Sequence, residues 1–152
     1  MSDVKDDTAG TPADPVVSIF DICETDANAE EDGRWFRDVF GDGSNVDVKL
    51  RRLTSKPSMQ VRRRLDKGFR KYLKNGVYPD AIAIEVLNRQ VSEAVLIDWA
   101  GVIGRDGAVI PYTRDGALEL LSKLPVFRDT ILSMSQNLDN FRVEDQAAAV
   151  KN

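Results

Sequence analysis

Histidine is absent from these 152 residues, and cysteine occurs once, at Cys23. Those two facts remove Ser-His-Asp and Cys-His catalysis, every zinc site that needs a histidine, and every zinc site built from cysteines alone. Of the usual catalytic side chains, carboxylates, lysines and tyrosines remain. Asp98 and Asp106 can be drawn as an acid–base pair, but no cofactor motif accompanies them, and helix-end and turn roles are the simpler reading. Asp38, Asp42 and Asp47 lack the spacing of a calcium loop. Gly41-Asp42-Gly43 is neither a GxxxxGK[ST] loop nor a GxGxxG opening a helix, so it reads as a hairpin turn. The chain is expected to have no catalytic, cofactor-binding or metal-binding residues and to act by binding, not as an enzyme.

Charge is the louder signal. The net charge of −4 conceals an asymmetry: residues 1–32 hold ten acids and one lysine, whereas residues 49–74 hold eleven bases and one acid, Asp66. A dense basic segment has three readings. It is a solvated face, paired in part with the acidic N-terminal residues; it docks an acidic helical protein, with Arg62, Arg63 and Arg64 steering the approach; or it grips a phosphate backbone. Nucleic acid is the least favoured, because no aromatic or Gln/Asn set is interleaved to read bases and no helix-turn-helix pattern follows.

These residues need elements to carry them. Apolar content of 42% and charged content of 30% fit one soluble domain able to bury an ordinary core. No apolar run is long enough to span a membrane, and no basic-then-apolar start marks a signal peptide. The expected fold is α+β and mostly α-helical, an N-terminal β-hairpin followed by a bundle of about four helices. Residues 1–18 are expected to form a disordered acidic arm and 142–152 a frayed tail, on either side of a single globular domain over 19–141. Residues 16–22 are apolar enough to dock as a strand or anchor, and 24–33 read as a loop. The hairpin spans 34–53, with a turn of about five residues at 41–45 and alternation of Val46, Val48 and Leu50 against Asp47, Lys49 and Arg51.

Helices follow at about 56–74, 79–99, 113–124 and 125–141. Thr54 or Ser55 caps the first, whose apolar face is Val61, Leu65, Phe69, Tyr72 and Leu73. The second carries Ile84, Leu87, Val91, Ala94 and Val95, widened by Ile82 and Val86, and runs on through Trp99, apolar almost all round. Gly101 stops it, and Arg105-Asp106-Gly107 turn the chain. Thr113 caps the third helix and Pro125 separates it from the fourth. On that last helix Phe127, Ile131, Met134, Leu138 and Phe141 recur at 4, 3, 4 and 3 residues. This is a narrow apolar seam that is either core or a surface for a partner or a second copy.

The order of these features resembles the tail assembly chaperones of long-tailed, siphovirus-like bacteriophages. The resemblance rests on VLIDWAGV at 95–102, Asp106-Gly107, Pro111-Tyr112-Thr113 and ALELLSKL at 117–124, and it runs from about Trp35 to Phe141. Residues 1–32 lie outside it. The motifs are structural, not catalytic. What the resemblance implies is a small α-rich protein of the host cell cytoplasm that binds the long helical tape-measure protein, keeps it soluble and helps recruit tail-tube protein. No cofactor and no membrane are implied, and self-association through the seam is compatible with the role. Phe127, Ile131, Met134, Leu138, Phe141, Arg62, Arg63 and Arg64 are the expected partner-binding residues. A small nucleic-acid-binding regulator using 49–74, or a structural subunit of the phage tail or neck, are the alternatives.

Overall fold

The computed structural model describes residues 16–143, so the arm expected over 1–18 lies outside the described residues except for 16–18, and the tail expected over 142–152 except for 142–143. The fold is α+β and mostly helical, with one three-stranded antiparallel sheet in the order β1-β2-β3. Two short helices open it, α1 (Ile19–Cys23) and α2 (Ala27–Asp32). Residues 16–22 neither form a strand nor dock: Val16, Val17, Ile19, Phe20 and Ile22 are all exposed. The loop expected over 24–33 contains α2, because Asp26 caps it by accepting from the amides of Asn28 and Ala29 (3.0 and 3.2 Å).

The hairpin is present, with β1 (Arg34–Phe36) pairing β2 (Asp47–Leu50) in the register Trp35 opposite Lys49. Its connection spans residues 37–46, longer than the five-residue turn expected. On β2 the alternation holds, with Val48 and Leu50 fully buried. After β2 comes α3 (Lys56–Gly68), then a 3₁₀ turn (Arg70–Tyr72), then α4 (Asp80–Gln90). Ser55 holds the N-cap position of α3 but makes no capping bond, and its buried hydroxyl has no partner among the described residues. Because α3 ends at Gly68, Tyr72 and Leu73 leave the apolar face assigned to them and are exposed. Of the stripe assigned to this helix, Val86, Val91, Ala94 and Val95 are buried and Leu87 is half-buried, but Ile84 is exposed. Asn88 and Gln90 are buried as well, and Gln90 donates to the Ser58 hydroxyl of α3 at 2.9 Å.

The main correction concerns residues 91–100. A π-helical turn (Val91–Val95) ends the helix, and Leu96–Ala100 is a strand, β3, not helix continuing through Trp99. β3 pairs β2 with Val48 opposite Trp99 and Leu50 opposite Leu96, and the register shifts between Lys49 and Leu50. Ile97 is the extra residue of that bulge. Two strand residues three apart normally face opposite sides. The bulge puts Leu96 and Trp99 on the same buried side, which gives Val91, Val95 and Trp99 a spacing of four that mimics a helix.

Beyond β3 the helices α5 (Arg114–Lys123) and α6 (Pro125–Gln136) begin where the capping signals put them, but α6 stops at Gln136, short of the expected 141, and a separate 3₁₀ turn (Leu138–Phe141) follows. The Thr113 hydroxyl accepts from the Gly116 amide at 2.9 Å, and Pro125 opens α6. The core joins Val48, Leu50, Val91, Val95, Leu96 and Trp99 to Ala117 and Leu121 of α5 and Phe127 and Ile131 of α6. No helix among the described residues is long and apolar enough to cross a membrane.

Candidate functional site

Trp99 anchors the segment that forms one side of a concavity. Its indole N–H donates to the Ile110 carbonyl at 2.8 Å, and Ile110 N–H donates to the Val102 carbonyl at 2.8 Å. Tyr112 meets Trp99 edge-on (centroids 5.1 Å), and its hydroxyl donates to the Leu96 carbonyl at 2.6 Å. Burial pushes the Tyr112 phenol up, so it stays a protonated donor at neutral pH. Between these anchors residues 103–109 project as a small hairpin. Ile103 bridges Val109, and the Asp106 carboxylate accepts from the Ala108 amide at 3.0 Å.

This hairpin forms one wall of a groove of about 570 Å³. Leu120, Lys123 and Leu124 at the end of α5 form the other wall, and Phe40, Val46, Val102 and Phe127 form its floor. Phe127 stacks on Phe40 (5.8 Å) and stands edge-on to Trp99 (6.3 Å), so the floor is rigid. Arg105, Glu119 and Lys123 make the rim. Lys123 pairs with Glu119 at 2.9 Å and holds that carboxyl below its usual range. Ile103 and Leu124 remain 58% and 46% exposed at the mouth, an apolar surface left uncovered.

Acidic side chains hold the floor in place. Asp38 accepts from the Ser44 hydroxyl (2.9 Å) and the Asn45 amide (3.1 Å), and Asp47 accepts from the Asp38 amide (2.8 Å) while pairing with Arg37 (2.9 Å). These bonds close the 37–46 connection that carries Phe40. The Asp38 amide, then the Arg37 guanidinium, holds the Asp47 carboxyl below its ordinary value. A carboxyl lowered in the folded state stabilises above its unfolded pKa and loses that contribution as pH falls through the folded value. Asp47→Asn should therefore lower the urea midpoint at neutral pH, with the gap to the native protein closing in acid below about pH 4. A gap that stays constant across that range would contradict this role.

The residues singled out from sequence distribute unevenly. Of the apolar seam, Phe127 reaches the groove, Ile131 and Phe141 are in the core, Met134 is half-buried and Leu138 is 47% exposed. Phe141 closes against Phe36 at 5.9 Å. The three arginines do not act as a set. Arg62 pairs with Asp66 at 3.0 Å, Arg64 pairs with Glu93, and only Arg63 is without an ion pair among the described residues. Asp98 accepts from the amide of Trp99, and Asp106 serves its turn. No group of three His, Cys, Asp or Glu among the described residues could hold a metal ion. Sequence reasoning missed Ile103, Leu120 and Leu124. The available signal was an apolar Ile103 beside a polar turn and an apolar Leu124 at the break before Pro125.

A family model described as YdaY prophage protein matches residues 49–152. That region contains the end of β2, all of β3 and α3 to α6, and both walls of the groove. No curated protein and no solved structure matches the chain. The chain therefore belongs to the YdaY prophage protein family and is phage-derived.

Proposed function

We propose that this protein is a tail assembly chaperone of its phage. It holds apolar helical segments of the tape-measure protein in the groove between the 103–109 hairpin and α5, and in doing so helps recruit tail-tube subunits. It works in the host cell cytoplasm and carries out no catalysis. The observation that carries the reading is the groove itself: a rigid aromatic floor, two apolar walls and a charged rim at its mouth. A long helix with an apolar face aggregates when bare, and an amphipathic helix laid into a hydrophobic groove is a recurring way to cover one. The likeness of 95–102 and 117–124 to tail assembly chaperones supports the same assignment.

The test targets the mouth. Ile103→Glu with Leu124→Glu places two carboxylates on exposed positions, so the fold should tolerate them. Capture of the co-expressed tape-measure protein should fall by about tenfold or more, since desolvating a carboxylate in an apolar contact costs well over 1.4 kcal/mol. Capture unchanged by the double variant would reject the groove as the binding site.

A further inference from the structure

We propose that the exposed face over residues 63–74 is a binding site for single-stranded nucleic acid, with Tyr72 as its stacking platform. Nine of the eleven bases of 49–74, all but Lys49 and Lys56, fall into two groups. Arg51, Arg52, Arg62 and Arg64 are committed internally. Arg51 donates to the carbonyls of Glu31 and Ala94, Arg52 pairs with Glu30, and Arg62 and Arg64 pair as described above. Arg63, Lys67, Arg70, Lys71 and Lys74 are exposed and make no ion pair with any described residue. Asp66 and Glu85 are already used: Asp66 also accepts from the Tyr78 hydroxyl, and Glu85 pairs with Arg89.

Arg63 and Lys67 stand at i and i+4 on the exposed side of α3, Arg70 and Lys71 lie in the 3₁₀ turn that follows it, and Lys74 lies just beyond, at the bridge to Val77. Five unneutralised cations together repel one another, and a polyanion relieves that repulsion. Tyr72, assigned from sequence to the apolar helical face and so not counted as interleaved with the bases, decides which polyanion. It is 40% exposed between Lys71 and Lys74, with Phe69 packed against it at 5.7 Å and the Lys71 ammonium over its ring at 5.2 Å. Cations that track a backbone around an exposed aromatic ring are what a sequence-tolerant single-stranded site needs. An acidic helix would use the cations and leave the ring idle. Asn and Gln, the side chains that read adenine in a duplex groove, are absent from residues 61–74.

The site is separate from the groove and does not rest on the chaperone reading. Fluorescence anisotropy of the full chain with labelled oligo-dT and oligo-U of about 20 nucleotides tests it. Binding should weaken with salt at a slope near −3.5 in log K against log concentration, from about 0.7 per phosphate contact over five cations. Charge reversal by Arg63→Glu, Lys67→Glu and Lys74→Glu should reduce affinity at least about a hundredfold and flatten the slope. Tyr72→Ala should cost about tenfold and leave the slope unchanged. The Ile103→Glu, Leu124→Glu variant should bind like the native protein. Absence of binding at low salt, or indifference to charge reversal, would overturn the proposal. So would poly-glutamate competing as well as oligo-dT together with no effect of Tyr72→Ala, which would instead mark an acidic protein as the partner.

Discussion

Gly101→Ala should destabilise the fold by about 3 kcal/mol or more, the sum of a left-handed backbone conformation imposed on a side chain and a steric overlap that cannot relax. Gly101 follows β3 at φ +78°, and an added Cβ would stand 2.0 Å from the Asn45 carbonyl oxygen and 3.0 Å from its carbon. Those are backbone atoms. They cannot swing away, because the Asn45 amide is bonded to Asp38 and the Val46 carbonyl to the Val39 amide. Gly107 provides the internal control. It has nearly the same backbone angle, φ +81°, but nothing lies within 4 Å of its Cβ position. Gly107→Ala should cost only the conformational part, about 1–2 kcal/mol. Urea unfolding of both variants measures the difference, and equal midpoints would show that the contact with the 37–46 connection does not constrain the fold.

Trp99→Ala should cost about 4 kcal/mol, the range seen when a buried large aromatic is cut to alanine. Trp99 is 5% exposed, and the loss has several parts. The contact with Val48 across the sheet goes, the indole bond to Ile110 goes, and the edge-on partners Tyr112 and Phe127 face a void. Trp99→Phe should recover most of the packing but leave the Ile110 carbonyl without its donor, a residual cost of about 1 kcal/mol. Because Phe127 leans on Trp99, the alanine variant should also loosen the groove floor and weaken partner capture even where it remains folded. Thermal and urea denaturation of the two variants checks the first claim. A loss below about 1 kcal/mol for the alanine variant would contradict Trp99 as an anchor of the site.

How much of this was legible depended on whether the signal was local. Thr113 and Pro125 announce α5 and α6 because a cap and a break act within one turn of the residues that carry them. The alternation of Val46, Val48 and Leu50 announces β2 for the same reason. β3 was hidden because the bulge at Ile97 changes the period of its buried residues, and only the partner strand reveals a bulge. α2 was hidden by its acidity, although Asp26 is an adequate cap. Tyr72 was misassigned because Gly68 ends α3 a turn early and moves everything after it off the helical face.

The site was less readable than the fold. Its floor, walls and rim come from the 37–46 connection, the 103–109 hairpin and the ends of α5 and α6, and no single stretch carries its pattern. Likewise the basic segment is plain in composition, but which of its cations are paired depends on Glu30 and Glu93 arriving from elsewhere in the fold.

The central claim is that this chain covers apolar helical surface for another phage protein. It is tested most directly by expressing the longest helical protein encoded beside it with and without this chain, and measuring the soluble fraction of that partner. The account predicts that the partner precipitates alone, and that in the presence of this chain it stays soluble and elutes with it. A partner equally soluble in both cultures, eluting free of this chain, would contradict the chaperone function.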